Sequence, residues 1–122
     1  ERNGASELYL SALGAALEPY LRGNFQDAVV QLRALGARYP QAVEPPFYLG
    51  VSLLLAGDAK AAIAPLQRAQ QIGGDALKED LAWYLAIAHE RSGAWEQASP
   101  FVEQLCKGSG QHRGAACAAL PQ

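Results

Sequence analysis

Three stretches of the chain open on the same phrase: GNFQDAVVQLRAL at Gly23, GDAKAAIAPLQRA at Gly57 and GAWEQASPFVEQL at Gly93. The glycines stand 34 and 36 residues apart. A fixed period of that length constrains the fold more than any other feature, because it marks supersecondary units that bury their apolar faces by stacking. Aligned on the glycines, further columns agree. Five residues after each comes a small residue (Ala28, Ala62, Ala98), and seven before it another (Ala16, Gly50, Ala86). Nine after stands an aliphatic (Leu32, Leu66, Val102), and eight before the set is Ala15, Leu49 and Leu85. Seventeen after comes a breaker: Pro40, Gly74, Gly110.

Each column has a physical reading, and together they describe a helix–turn–helix unit. The glycine supplies the left-handed residue that ends a first helix. Asn24 and Asp58 follow at the position where a side-chain oxygen caps a second helix; Ala94 stands there in the third copy, at a cost of about 1 kcal/mol. The paired small residues let the two antiparallel helices approach closely. The late breaker ends the second helix before the next unit begins.

These columns resemble tetratricopeptide repeats, with Leu49–Gly50, Gly57 and Ala62 as the best-matching copy and similarity over about residues 9–110. The resemblance implies an all-α, right-handed α-solenoid of three repeats, about 9–42, 43–76 and 79–110, in a single domain over 1–122. A short carboxyl-terminal capping helix would fall in 111–122. Pro19 lies inside the first leading helix and is expected to kink it or delay its start. Pro65 and Pro100 should bend the second helices that contain them. The two extra residues of the third copy are expected in the connection Ile72–Asp75. An ordinary antiparallel helical bundle is the competing all-helical reading.

Residues ten, six and three before each glycine recur at i, i+4, i+7 and share one stripe. They are Leu13, Leu17 and Tyr20; Phe47, Val51 and Leu54; and Trp83, Ile87 and Glu90. The family resemblance implies that this stripe lines the concave groove, with Tyr48 and Tyr84 at its edges. Two readings stand: the side chains are core, or they form a groove for an apolar peptide or amphipathic helix. The segment PFYLGVSLLLA, apolar almost all round, must be buried on every side and favours an occupant. The family's basic clamp for a terminal carboxylate needs Lys, Arg and Asn along the stripe, which here is apolar.

Composition excludes several classes. A net charge of −2 with basic residues scattered singly argues against a nucleic-acid groove. No apolar run approaches the roughly 18 residues that span a bilayer, so membrane insertion is not expected, and the start does not read as a signal peptide. The chain contains no Met, which reads as a processed product or a piece cut from a longer protein, the latter preferred. Catalysis is not expected. His89 and Glu90, adjacent on a helix, point about 100° apart, and His112 in GSGQHRG reads as a solvated loop residue. Cys106, His112 and Cys117 match no zinc spacing and lack a fourth ligand. Each recurrent glycine marks a helix end, so no phosphate-binding loop remains, and no cofactor or metal is implied.

Cys106 ends the last repeat helix and Cys117 lies in RGAACAAL, which reads as the capping helix. Either the pair is a disulfide worth about 2–3 kcal/mol, or it is two buried thiols acting as small apolar residues. The bridge is preferred because these are the only cysteines and both lie near one end. It would imply an oxidising, extracytoplasmic (periplasmic) compartment; otherwise the cytoplasm is expected. A looser resemblance to the short repeat arrays ending bacterial envelope regulators points the same way. The expected function is a non-catalytic protein-interaction module for an unidentified protein or peptide. The alternative is a self-assembly scaffold, its groove filled by a second copy or by residues 5–18, where Leu8, Tyr9 and Leu13 share a face.

Overall fold

The computed structural model describes residues 2–121. The described chain is all-helical, with no strand: α1 (Arg2–Leu21), α2 (Phe25–Arg38), α3 (Glu44–Leu55), α4 (Ala59–Ile72), α5 (Lys78–Arg91), α6 (Trp95–Lys107) and α7 (Arg113–Ala119). Each helix packs on the next in sequence, and α3 also touches both α1 and α5. The helices therefore stack as successive pairs, each leading helix against the next leading helix.

The three turns are built alike. Gly23, Gly57 and Gly93 have φ of +79°, +93° and +80°. After each, the next amide donates back to the carbonyl five residues upstream: Asn24 to Pro19, Asp58 to Leu53 and Ala94 to His89, all at 2.8 Å. The glycine amide donates to the carbonyl three residues back at 3.0 Å in every copy. This is the Schellman pattern that satisfies the orphan carbonyls of a helix end. Asn24 then accepts from the Asp27 amide and Asp58 from the Ala61 amide, whereas Ala94 offers α6 no side-chain cap.

The small-residue columns sit at the helix crossings. Ala28, Ala62 and Ala98 are fully buried, as are Leu32 and Leu66 beside the first two. A Cβ on Gly50 would lie 2.6 Å from Leu66 Cδ2 and 3.3 Å from the Ala62 carbonyl oxygen, so only glycine fits there. The column eight before each turn packs against the preceding pair. Leu49 and Leu85 find that neighbour, while Ala15 in the first pair has none and is exposed.

The expected delay of α1 at Pro19 and the placement of the insertion need revision. α1 runs unbroken from Arg2 through Pro19, and α4 and α6 likewise continue through Pro65 and Pro100. Pro19 lies in the last turn of α1 and sacrifices one backbone bond there, so it neither delays the helix nor ends it. The two extra residues of the third unit are not in the connection either. The connections 39–43 and 73–77 are five residues each, whereas α3 has 12 residues and α5 has 14. Pro45 and Pro46 open α3 in its first turn, while Lys78 and Glu79 extend α5 by half a turn, with Glu79 and Asp80 suited to the positive end of its dipole.

Candidate functional site

The leading helices α1, α3 and α5 place their tyrosines side by side. Tyr20 meets Tyr48 edge-on at 5.4 Å, Tyr48 meets Phe47 at 4.9 Å, and Phe47 meets Tyr84 at 5.8 Å. Such T-shaped pairs are favoured by the ring quadrupole. The result is an aromatic ladder across all three pairs, with Tyr20, Tyr48 and Tyr84 half-buried. Burial pushes the Tyr20 phenol up, and the neighbouring Tyr84 and Tyr48 phenols act in the same direction. Burial likewise raises Tyr84, helped by the Asp80 carboxylate and Tyr48.

The expected stripe divides into two populations. Phe47, Val51 and Leu54 are at most 4% exposed and lie in the chain's own core with Leu66, Leu81 and Leu85. Leu13 and Leu17 pack half-buried against the core of the first pair, around Ala16, Ala28 and Leu32. Trp83 and Ile87 are half-buried, and Glu90 is exposed. The surface part of the stripe is thus the tyrosine ladder plus the α5 end, while the middle of α3 is structural. The all-round apolar character of α3 is accounted for by its neighbours α1, α2, α4 and α5.

Trp83, Ile87 and Glu90 line a groove of about 480 Å³ with Trp95, Val102 and Pro121. Trp95, 37% exposed, is a participant the repeat columns did not single out. It stands two residues after its glycine, where the second copy has Ala59. Sequence signal existed in the aromatic character of that position in GAWEQ and GNFQD, because Phe25 packs edge-on to Tyr20 at 5.9 Å.

His112 is not solvated as its loop suggested. Its ring stacks on Trp83 with centroids 4.5 Å apart and planes 6° from parallel, and its Nε2 lies 3.1 Å from Asp80 Oδ1. Its backbone amide donates to Glu79 Oε2 at 3.3 Å. Gly110 makes this possible, because any Cβ there would collide with the Glu79 carboxylate. The half-turn added to α5 therefore carries part of the anchor for the segment before α7. On the other side of the cap, Cys106 and Cys117 bring their sulfurs to disulfide distance, with Cα atoms 4.7 Å apart. Ala116, next to Cys117, is fully buried with Ala82, Ala86, Val102 and Leu105.

At the amino-terminal end, Tyr9 packs edge-on against Tyr39 at 5.0 Å and donates to Glu44 Oε1 at 2.7 Å. Burial, that hydrogen bond and the carboxylate's charge all push its phenol up. Tyr9 and Leu13 thus lie along α2 and the start of α3, while Leu8 is 70% exposed. No Cα of α1 comes within 8 Å of one in α5, and the described residues of 7–18 pack on α2 and the start of α3; residues 5 and 6 lie outside the described side chains. His89 is buried and stacks near Phe101, with ring centroids 6.2 Å apart. Among the described residues no group of three His, Cys, Asp or Glu side chains converges as metal ligands, and no helix is long and apolar enough to cross a membrane. No protein-family model matches the chain, and no curated protein matches it in sequence.

Proposed function

We propose that the chain is a tetratricopeptide-type solenoid acting as a non-catalytic binding module for an apolar peptide or amphipathic helix. The observation that carries this reading is the aromatic ladder of Tyr20, Tyr48, Phe47 and Tyr84, which continues towards Ile87 and Trp95 at the α5 end. Half-buried tyrosines offer large, rigid, amphipathic contact area at low entropy cost, and such residues dominate binding energy at interfaces. The tyrosines pack against the core cluster that contains Val51 and Leu54, so the surface is preorganised. Half-buried aromatics from successive leading helices suit helix-in-groove recognition, in which anchors at i, i+4 and i+7 enter successive gaps. The paired cysteines favour an oxidising, extracytoplasmic setting for the module.

A Tyr84→Ser, Ile87→Glu double variant tests the reading, because both residues are half-buried and outside the central core. After circular dichroism shows that it folds, wild type and variant are compared by quantitative co-purification from source lysate and envelope fractions. A protein held by wild type and lost by the variant supports the groove. Equal capture by both moves the interface elsewhere. A concentration-dependent dimer in sedimentation, abolished by the variant, would instead identify the partner as a second copy and make the chain an assembly domain.

A further inference from the structure

A second site lies between the trailing helices α2 and α4. No Cα of one comes within 8 Å of the other, and the gap between them is a cleft of about 460 Å³. Pro46 and Leu49 of α3 form part of its lining, and small residues, Gly36 on α2 with Ala61 and Ala64 on α4, leave the space open. That volume falls in the range of sites that hold ligands.

The charge of the cleft is one-sided. Arg33 from α2 and Arg68 from α4 are its only charged lining residues, in a chain whose net charge is −2. Neither guanidinium has a carboxylate partner among the described residues, where His112 and Asp80 form the sole ion pair. Arg68 donates from Nη2 to the Pro40 carbonyl at 2.8 Å, which holds that guanidinium against the rim with donors to spare. The lining prolines have no amide to donate. An occupant is therefore recognised by two arginine forks above an apolar floor, and not by main-chain pairing.

We infer that this cleft docks a protein segment presenting a carboxylate next to an aliphatic side chain. The aliphatic group covers Leu49 and the Pro46 ring, and the carboxylate takes the fork-shaped donors of Arg33 and Arg68. The cleft faces solvent, with Arg33, Pro40, Ala61, Ala64 and Arg68 of its lining exposed, so a protein segment laid across it shields the apolar floor better than a small amphiphile. This site stands independently of the aromatic ladder.

The test is selection of phage-displayed random dodecapeptides on the immobilised full chain, followed by counter-selection on an Arg33→Gln, Arg68→Gln double variant. The expected outcome is enrichment of Asp or Glu within two residues of Leu, Ile or Val. A synthetic representative should lose affinity about tenfold or more on the double variant, or when its acid is replaced by the amide. Its binding should weaken with salt and be unchanged by the Tyr84→Ser, Ile87→Glu variant. Arg68→Gln also removes the bond to Pro40, so exposed Arg33→Gln alone, which no described contact restrains, is the second variant should the double one misfold. Peptides without acidic excess, equal binding to the arginine variants, or no enrichment would overturn the inference. So would self-association in sedimentation that Arg33→Gln abolishes, since a second copy would then be the occupant.

Discussion

At the scale of single residues, the repeat shows where each copy is tightest and where it is incomplete. Gly50 has Leu66 against it where a Cβ would stand, and Leu66 is itself fully buried and unable to retreat. Gly50→Ala is expected to cost about 1–3 kcal/mol by overpacking. The same change at Gly36, where a Cβ would rest 3.5 Å from Pro45, should not. Urea denaturation of both variants checks the contrast. Ala94 has φ −111° and ψ 63°, close to the −115° and 73° of the capping Asp58. Ala94→Asp therefore enters a backbone already shaped for a cap and should stabilise the chain by about 1 kcal/mol. An unchanged urea midpoint would mean that α6 gains its amide partners elsewhere.

At the scale of elements, the cap is the one helix held by covalent and ring contacts more than by its own length. α7 has seven residues, too few for a stable isolated helix. Its position comes from Ala116 in the core, the Cys106–Cys117 pair and the His112 stack on Trp83. Replacing both cysteines by Ser is expected to cost about 2–3 kcal/mol, as for a loop of this length. His112 should then separate from Trp83, with a change in tryptophan emission that precedes global unfolding. Alkylation without reductant should add no label to the folded wild-type chain; two labels would mean free thiols.

At the scale of the whole molecule, the tyrosines set the response to alkaline pH. The Tyr9, Tyr20 and Tyr84 phenols are all pushed above the ordinary value of about 10. Each neutral phenol is favoured by folding, so the unfolded chain releases its protons first as pH rises. Their contribution is complete below about pH 10 and is lost progressively above it. Denaturation midpoints followed from pH 8 upward should be flat and then fall, and Tyr9→Phe should make the fall shallower. A Tyr9→Phe profile that superimposes on wild type would show that neither burial nor the Glu44 contact holds the Tyr9 phenol neutral on folding.

The glycine period, the capping oxygens and the small-residue columns were enough to specify helical pairs, their turns and the missing cap at Ala94, and the segment RGAACAAL specified the carboxyl-terminal helix. These are properties of short range, because a left-handed glycine and a capping side chain act within one turn of backbone. What the stripe residues do was decided only by tertiary packing. Phe47 and Trp83 occupy the same column, yet one is buried in the core with α4 and α5 side chains and the other is covered by a histidine 29 residues away. Likewise the residues added before Asp80 had no meaning until the loop carrying His112 folded back on them. Periodicity tells which side chains share a face, but burial depends on how many neighbouring helices that face meets, and that number differs between the first, middle and last pair.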